Sequence, residues 1–296
     1  MKVGLLSYRS HPYSGGQGIY IKHLSKALKN LGHEVSVLSG PPYPELDSGV
    51  NLIKIPSLGL FESGERLKAF RLRFLWSPID LYEWITVMTG GFPEPYTYGK
   101  RVLKRLKENN LKLDVLLDNQ SLSSSLLEIQ AHYPLAVTIH HPITKDHKLE
   151  MQNAINWKER LSSSRWHNFL PMQKKVAPQL KNIICVSQPS KEDVISEFKV
   201  DEKKITVIPN GIDIGIFKPS SIKKSLSFRI VTTAIPFLNA RFQGLDVLYR
   251  SGTGQYSSKI SDIVQKTTPD EQAKSIILTH AFRGGLLMLA TGLYYA

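Results

Sequence analysis

Three groups of residues in the 296-residue chain have types and spacing suited to chemistry. The first is Ser14, Gly15, Gly16, Gln17 and Gly18, which follow a short apolar run and precede an apolar pattern of helical spacing. Glycines at such a turn let backbone N–H groups come close to an anion, and a helix start favours negative charge. The spacing is not G-x-G-x-x-G, and no P-loop lysine follows, so a dinucleotide fingerprint and a Walker motif are both excluded. Phosphate contact and a flexible turn remain two open readings of this loop. The second group is His140 and His141, directly after the apolar run 135–139. A histidine beyond the carboxyl end of a strand can hydrogen-bond sugar hydroxyls or a phosphate, or simply cap its own loop. Asp146 and His147 follow closely, but the spacing matches no usual ligand motif, and no metal site is predicted. The third group is residues 64–76, where Leu67, Phe70 and Phe74 recur at helical spacing beside Trp76, Arg66, Lys68, Arg71 and Arg73. Aromatics interleaved with cations suit a helix lying on anionic lipid, or an ordinary surface helix packed on its own domain.

A βα alternation surrounds these groups and must position them. Residues 3–7 read as a buried strand, and Ile21, Leu24, Ala27, Leu28 and Leu31 as one face of a helix that Gly32 ends. Residues 34–38 read as the next strand, which makes a βαβ unit and predicts a parallel sheet. Further strands are predicted at 50–55, 113–118, 135–139, 183–186 and 205–208, and helices at 98–109, 148–162, 168–179 and 190–198. The pattern predicts one complete doubly wound, Rossmann-like α/β domain over residues 1–217. The serine-rich segment 218–227 reads as a linker. Residues 228–296 are too few for a second such domain of usual size and predict a partial or divergent one.

Composition narrows the function classes. The single Cys185 sits in an apolar stretch, which excludes an intramolecular disulfide or a cysteine zinc cage and predicts a buried thiol in a reducing, cytoplasmic setting. No run approaches the roughly 20 apolar residues of a spanning helix, and the apolar part of residues 1–8 is too short for a signal peptide. The net charge of +13 draws polyanions: nucleic acid, anionic lipid or phosphorylated substrates. A nucleic-acid partner is not expected, because no zinc pattern, RNP-like motif or recognition helix is present. A nicotinamide-dependent dehydrogenase is equally disfavoured, since Leu38, Ser39 and Gly40 end the second strand without an acid for the ribose.

In this order the pieces resemble the family 4 glycosyltransferases. The resemblance is carried by the glycine loop with IYIKHLSKALKNLGHEVSVLSG (residues 19–40), VTIHHP (137–142), ICVSQPSKEDV (184–194) and ITVIPNGIDIGIFKP (205–219), and so covers most of residues 1–219. It implies a GT-B architecture, in which two Rossmann-like domains hold the acceptor and a nucleotide-sugar donor. It also implies retaining transfer of a hexose-type sugar to a glycan or lipid-linked acceptor, as in polysaccharide biosynthesis, with no metal or other cofactor. Carried over, Gly15 and Gly16 would offer N–H groups to the diphosphate, and His140, rather than His141, would contact the transferred sugar.

The donor side departs from the family. Gln243 and Gly244 stand where the family has Lys-Gly, and Arg241 is the nearest cation that could replace the lysine. The family's donor-side glutamate pair has no counterpart, since Glu271 is the single glutamate after Glu202. Losing one positioned electrostatic group costs about 10²–10³ in rate, so the chain alone is expected to be inactive or poorly active. A truncated or frame-shifted chain, a short form working with a subunit that supplies the donor domain, and a non-catalytic sugar- or nucleotide-binding protein all fit. The expected location is the cytoplasm, peripherally on the inner face of the membrane if residues 64–76 bind lipid.

Overall fold

The computed structural model describes residues 1–13, 16–61, 70–109 and 111–211. These belong to one compact unit, Met1–Gly211. Seven parallel strands run β1 (Lys2–Ser7), β2 (Glu34–Ser39), β3 (Asn51–Lys54), β4 (Val115–Asn119), β5 (Leu135–Ile139), β6 (Ile183–Cys185) and β7 (Ile205–Val207). Their order in the sheet is β3-β2-β1-β4-β5-β6-β7. The chain therefore winds outward one way from β1 through β3, crosses back, and winds the other way from β4. The doubly wound α/β reading holds, and the switch point lies between β1 and β4, where open α/β sheets bind their ligands.

Eight α-helices cover the sheet among the described residues. They are α1 (Gly16–Asn30), α2 (Pro78–Met88), α3 (Glu94–Asn109), α4 (Leu126–His132), α5 (Thr144–Asn153), α6 (Trp157–Trp166), α7 (Leu170–Val176) and α8 (Gln188–Phe198). Successive strand residues face opposite sides, and both sides are apolar. Leu5 and Val37 pack with Ile21 of α1, whereas Leu6, Leu38 and Leu116 pack with Val102 and Leu106 of α3. Helix α1 stops as expected: Gly32 takes φ +84° and its N–H donates to the Lys29 carbonyl at 2.9 Å. Cys185 is fully buried, and burial pushes its thiol up to about 11, which makes it an inert core residue.

Several predicted elements differ. The single helix expected over 148–162 is two helices, because Asn156 caps a new start by accepting from the Glu159 N–H at 3.0 Å while Glu159 returns a bond to the Ile155 N–H at 2.9 Å. Helices α2 and α4 were not anticipated, and α3 starts at Glu94 rather than at 98. Of the basic segment 64–76, residues 64–69 lie outside the described residues. Residues Leu72–Trp76 form one 3-10 turn rather than part of a longer amphipathic helix. Phe74, which the lipid reading would turn to the membrane and the surface-helix reading to its own domain, is buried and meets Phe70, which in turn packs on Trp84 of α2. Leu72, Leu75 and Trp76 face solvent instead.

Candidate functional site

The carboxyl ends of β1, β4 and β5 meet at the switch point, and each ends on or runs straight into a polar residue. Ser7 closes β1, Asn119 closes β4, and His140 follows β5 directly. The parallel register sets Asn119 against Thr138, so the side chain of Asn119 can reach over to His140. The His140 Nε2 lies 2.8 Å from the Asn119 Oδ1. The Asn119 amide nitrogen in turn donates to the Ser7 hydroxyl at 3.5 Å. Ser7 accepts from Ser10 at 2.8 Å, and Ser10 lies 3.0 Å from the hydroxyl of Ser39, at the end of β2, whose proton the Gly40 carbonyl at 2.8 Å shares. All four of these partners are buried, so four strand ends are tied by one polar chain.

A second set of bonds shapes the loop after β4. The buried Asp118 carboxylate accepts from the Ser121 N–H at 2.8 Å and from the Ser121 hydroxyl at 2.6 Å. It thereby holds a tight turn in which Gln120 and Leu122 take φ of 55° and 48°. The side chain of Gln120 then braces the loop after β5. Its Oε1 accepts from the His140 N–H at 2.7 Å, and its Nε2 donates to the His141 carbonyl, also at 2.7 Å. Ser190 of α8 completes the frame by donating to the His140 carbonyl at 2.6 Å. Burial pushes Asp118 up to about 6, against the lowering effect of its Ser121 and Leu122 bonds.

His140 is held neutral. Burial, then the neighbouring His141, brings it down to about 4. Tyr20 of α1 sets its ring edge-on against the imidazole at 4.7 Å between centroids. His141 points elsewhere: it is exposed, with Nε2 at 3.2 Å from Asp146 Oδ2 on its own loop. Of the two histidines, His140 alone joins the network at the strand ends. Among the described residues no group of three or more His, Cys, Asp or Glu is placed to hold a metal ion.

The glycine loop divides by role. Gly15 lies outside the described residues, as does Arg241. Gly16 opens α1, and a Cβ there would meet no atom within 4 Å. Among the described residues nothing thus requires glycine at 16. Gly18 is different, because a Cβ would lie 2.1 Å from the His11 carbonyl oxygen. It is the glycine that lets α1 close onto the loop after β1. Beside it, Gln17 donates to the Tyr8 hydroxyl at 3.1 Å, and burial pushes Tyr8 up to about 12. Arg9, two residues past β1, pairs with Glu94 at the start of α3 at 3.2 Å. Asn119, Gln120 and Asp118 were not singled out by sequence reasoning; the signal was the polar run 118–121 following Leu116 and Leu117.

Among known protein families, the model of Glycosyltransferase Family 4 matches residues 14–215. The MMP alpha-(1->4)-mannosyltransferase of Mycolicibacterium hassiacum is 42% identical over 221 residues, which cover 74% of this chain and 54% of that protein. A phosphatidylinositol N-acetylglucosaminyltransferase subunit of Arabidopsis thaliana is 25% identical over 259 residues, 84% of this chain and 47% of that protein. The chain spans about half the length of the curated relatives it matches. A solved glycosyltransferase from Rickettsia africae ESF-5 aligns with 86% of this chain and 50% of its own at 14% identity and a TM-score of 0.38. Among the described residues no helix is long and apolar enough to cross a membrane.

Proposed function

We propose, for a chain that belongs to Glycosyltransferase Family 4, that it is the acceptor-side part of a mannosyltransferase that moves mannose from a nucleotide sugar to a glycan or lipid-linked acceptor with retention. The observation that carries the sugar assignment is the 42% identity to the Mycolicibacterium mannosyltransferase over 221 residues of this chain. In this reading the cleft lies over the switch point. The N–H groups at Gly15 and Gly16 face the diphosphate, whose charge grows as the sugar–phosphate bond breaks. His140, neutral and braced by Gln120, bonds the transferred sugar. Arg241 stands as the replacement cation on the donor side.

The same reading holds that the chain alone turns over poorly, because the lysine and the glutamate pair are absent from its sequence. A subunit or a further segment would supply the donor side. The exposed Leu72, Leu75 and Trp76, beside the cationic segment 64–73, support peripheral contact with anionic lipid.

The test is a chimera in which residues 1–211 replace the corresponding half of the Mycolicibacterium relative. It should transfer mannose from GDP-mannose to a mannooligosaccharide, and His140→Ala in it should lose about 10²-fold in kcat. The chain by itself should show no turnover. A chimera that folds but transfers no mannose, or robust transfer by the chain alone, overturns the assignment.

A further inference from the structure

The strand-end network fixes more than the place of His140. Asn119 has one amide oxygen and one amide nitrogen, and its two neighbours decide which faces which. Ser7 has a single proton, and the Arg9 carbonyl at 3.1 Å takes it. The Ser7 oxygen already accepts from Ser10, and what remains to it is to accept again. Asn119 must therefore turn its NH2 toward Ser7 and its oxygen toward His140. The opposite orientation would set two buried oxygens against each other with no proton between them. An oxygen at 2.8 Å from Nε2 requires the proton on Nε2. Among the described residues nothing bonds the other ring nitrogen, Nδ1, and it is not a buried orphan.

We infer that Ser7 and Asn119 are positioning residues that lock His140 as the Nε2–H tautomer, so that its Nδ1 lone pair accepts a hydrogen bond from a sugar hydroxyl and turns away phosphate oxygens. A ring with its one proton already given to Asn119 has no donor left for an anion. A hydroxyl carries the proton that Nδ1 lacks. The tautomer follows from the network alone, and only the identity of the hydroxyl donor rests on the proposed sugar transfer. Tyr20, whose ring edge meets His140, and His141, which is turned to Asp146, leave that assignment unaltered.

The experiment is a two-bond 1H–15N correlation on the full chain labelled at histidine, with the His140 signals identified by their loss in His140→Gln. The wild type should show a protonated Nε2 and a bare, pyridine-type Nδ1. Ser7→Ala frees the Asn119 amide to rotate and should bring the two nitrogens toward averaged shifts. Asn119→Asp keeps an oxygen on Nε2 and should retain the tautomer while raising the titration midpoint by about two pH units. Methyl α-mannopyranoside should move the Nδ1 shift, and sodium pyrophosphate should leave it in place. A protonated Nδ1 in the wild type, or a Ser7→Ala spectrum identical to wild type with circular dichroism showing both folded, overturns the lock. A silent Nδ1 with the sugar, or an equal response to pyrophosphate, overturns the hydroxyl assignment. Because the tautomer is read without turnover, its failure is separable from failure of the chimera to transfer mannose.

Discussion

The strand-end edge and the connection from β3 to α3 place polar and apolar groups in opposite ways. At the edge, Ser7, Ser10, Ser39, Asp118 and Asn119 are buried polar groups with hydrogen-bond partners. In the connection, helix α2 turns its charges inward: Glu83 is buried and accepts from the Leu58 N–H at 2.9 Å, and Arg101 of α3 bridges Glu83 and Asp80. Its outer face carries Tyr82 and Ile85 in solvent, continued by Leu72, Leu75 and Trp76. The edge hides polarity to hold a geometry, whereas the connection uses its polarity to dock a helix and leaves apolar side chains in water. Buried polar groups so satisfied specify one arrangement, and exposed apolar ones specify a contact with something else.

Three measurements would break or sharpen this contrast. The largest effect is expected at Arg101→Ala, which strands the buried Glu83 without its cation. Breaking one side of such a pair costs about 3–5 kcal/mol, read as a lowered urea midpoint. A loss below about 1 kcal/mol would place the cluster with exposed salt bridges, whose typical worth that is.

The next effect concerns pH at the edge, where two shifts oppose each other. Asp118 is raised to about 6, so the native state binds its proton more tightly than the unfolded chain does. Its contribution to stability is full below the ordinary carboxylate range and is lost as pH rises through 6. His140 is lowered to about 4, so the unfolded chain binds that proton more tightly. Its contribution is full above about 6.5 and is lost as pH falls toward 4. Between pH 4 and 6.5 the two slopes cancel in large part. Asp118→Asn should then make stability fall more steeply on acidification than wild type, and His140→Gln should make it fall less steeply, each by about 2 kcal/mol across the window. Parallel profiles for both variants would show that the two groups titrate as they do in water.

The smallest effect on stability is expected on the outer face of the connection. Leu75→Ser with Trp76→Ser should change stability by no more than about 0.5 kcal/mol, since neither side chain is buried. The same pair should weaken co-sedimentation with vesicles containing anionic lipid. Unchanged sedimentation would leave this surface for a protein partner.

Much of the frame was legible from residue patterns. Strand β5 has the predicted bounds, and α1 ends at the glycine expected to end it. The place of His140 directly beyond a strand was legible from the apolar run before it. What escaped has a physical reason in each case. In α2 the polar Glu83 and Thr86 face inward beside Val87 while Tyr82 and Ile85 face out, so the pattern that marks an amphipathic helix is blurred. The break between α5 and α6 depends on one asparagine acting as a cap, a role its side chain takes only when the backbone turns there. Asn119 and Gln120 carry no signature of their own. The bond of Asn119 to Ser7 depends on β1 lying beside β4, an adjacency set by a crossover and not by neighbours in sequence, and both side chains act on a loop about 20 residues further on.

The bond between Ser7 and Asn119 spans 112 residues of chain. A contact of such separation returns stability only once the long loop between its partners has closed. The histidine therefore cannot settle while only the first βαβ unit is in place; it waits for the far half of the sheet to dock on β1. Its ring signal is thus a clock for folding as well as a probe of chemistry, since a native tautomer can appear only after the two halves have joined.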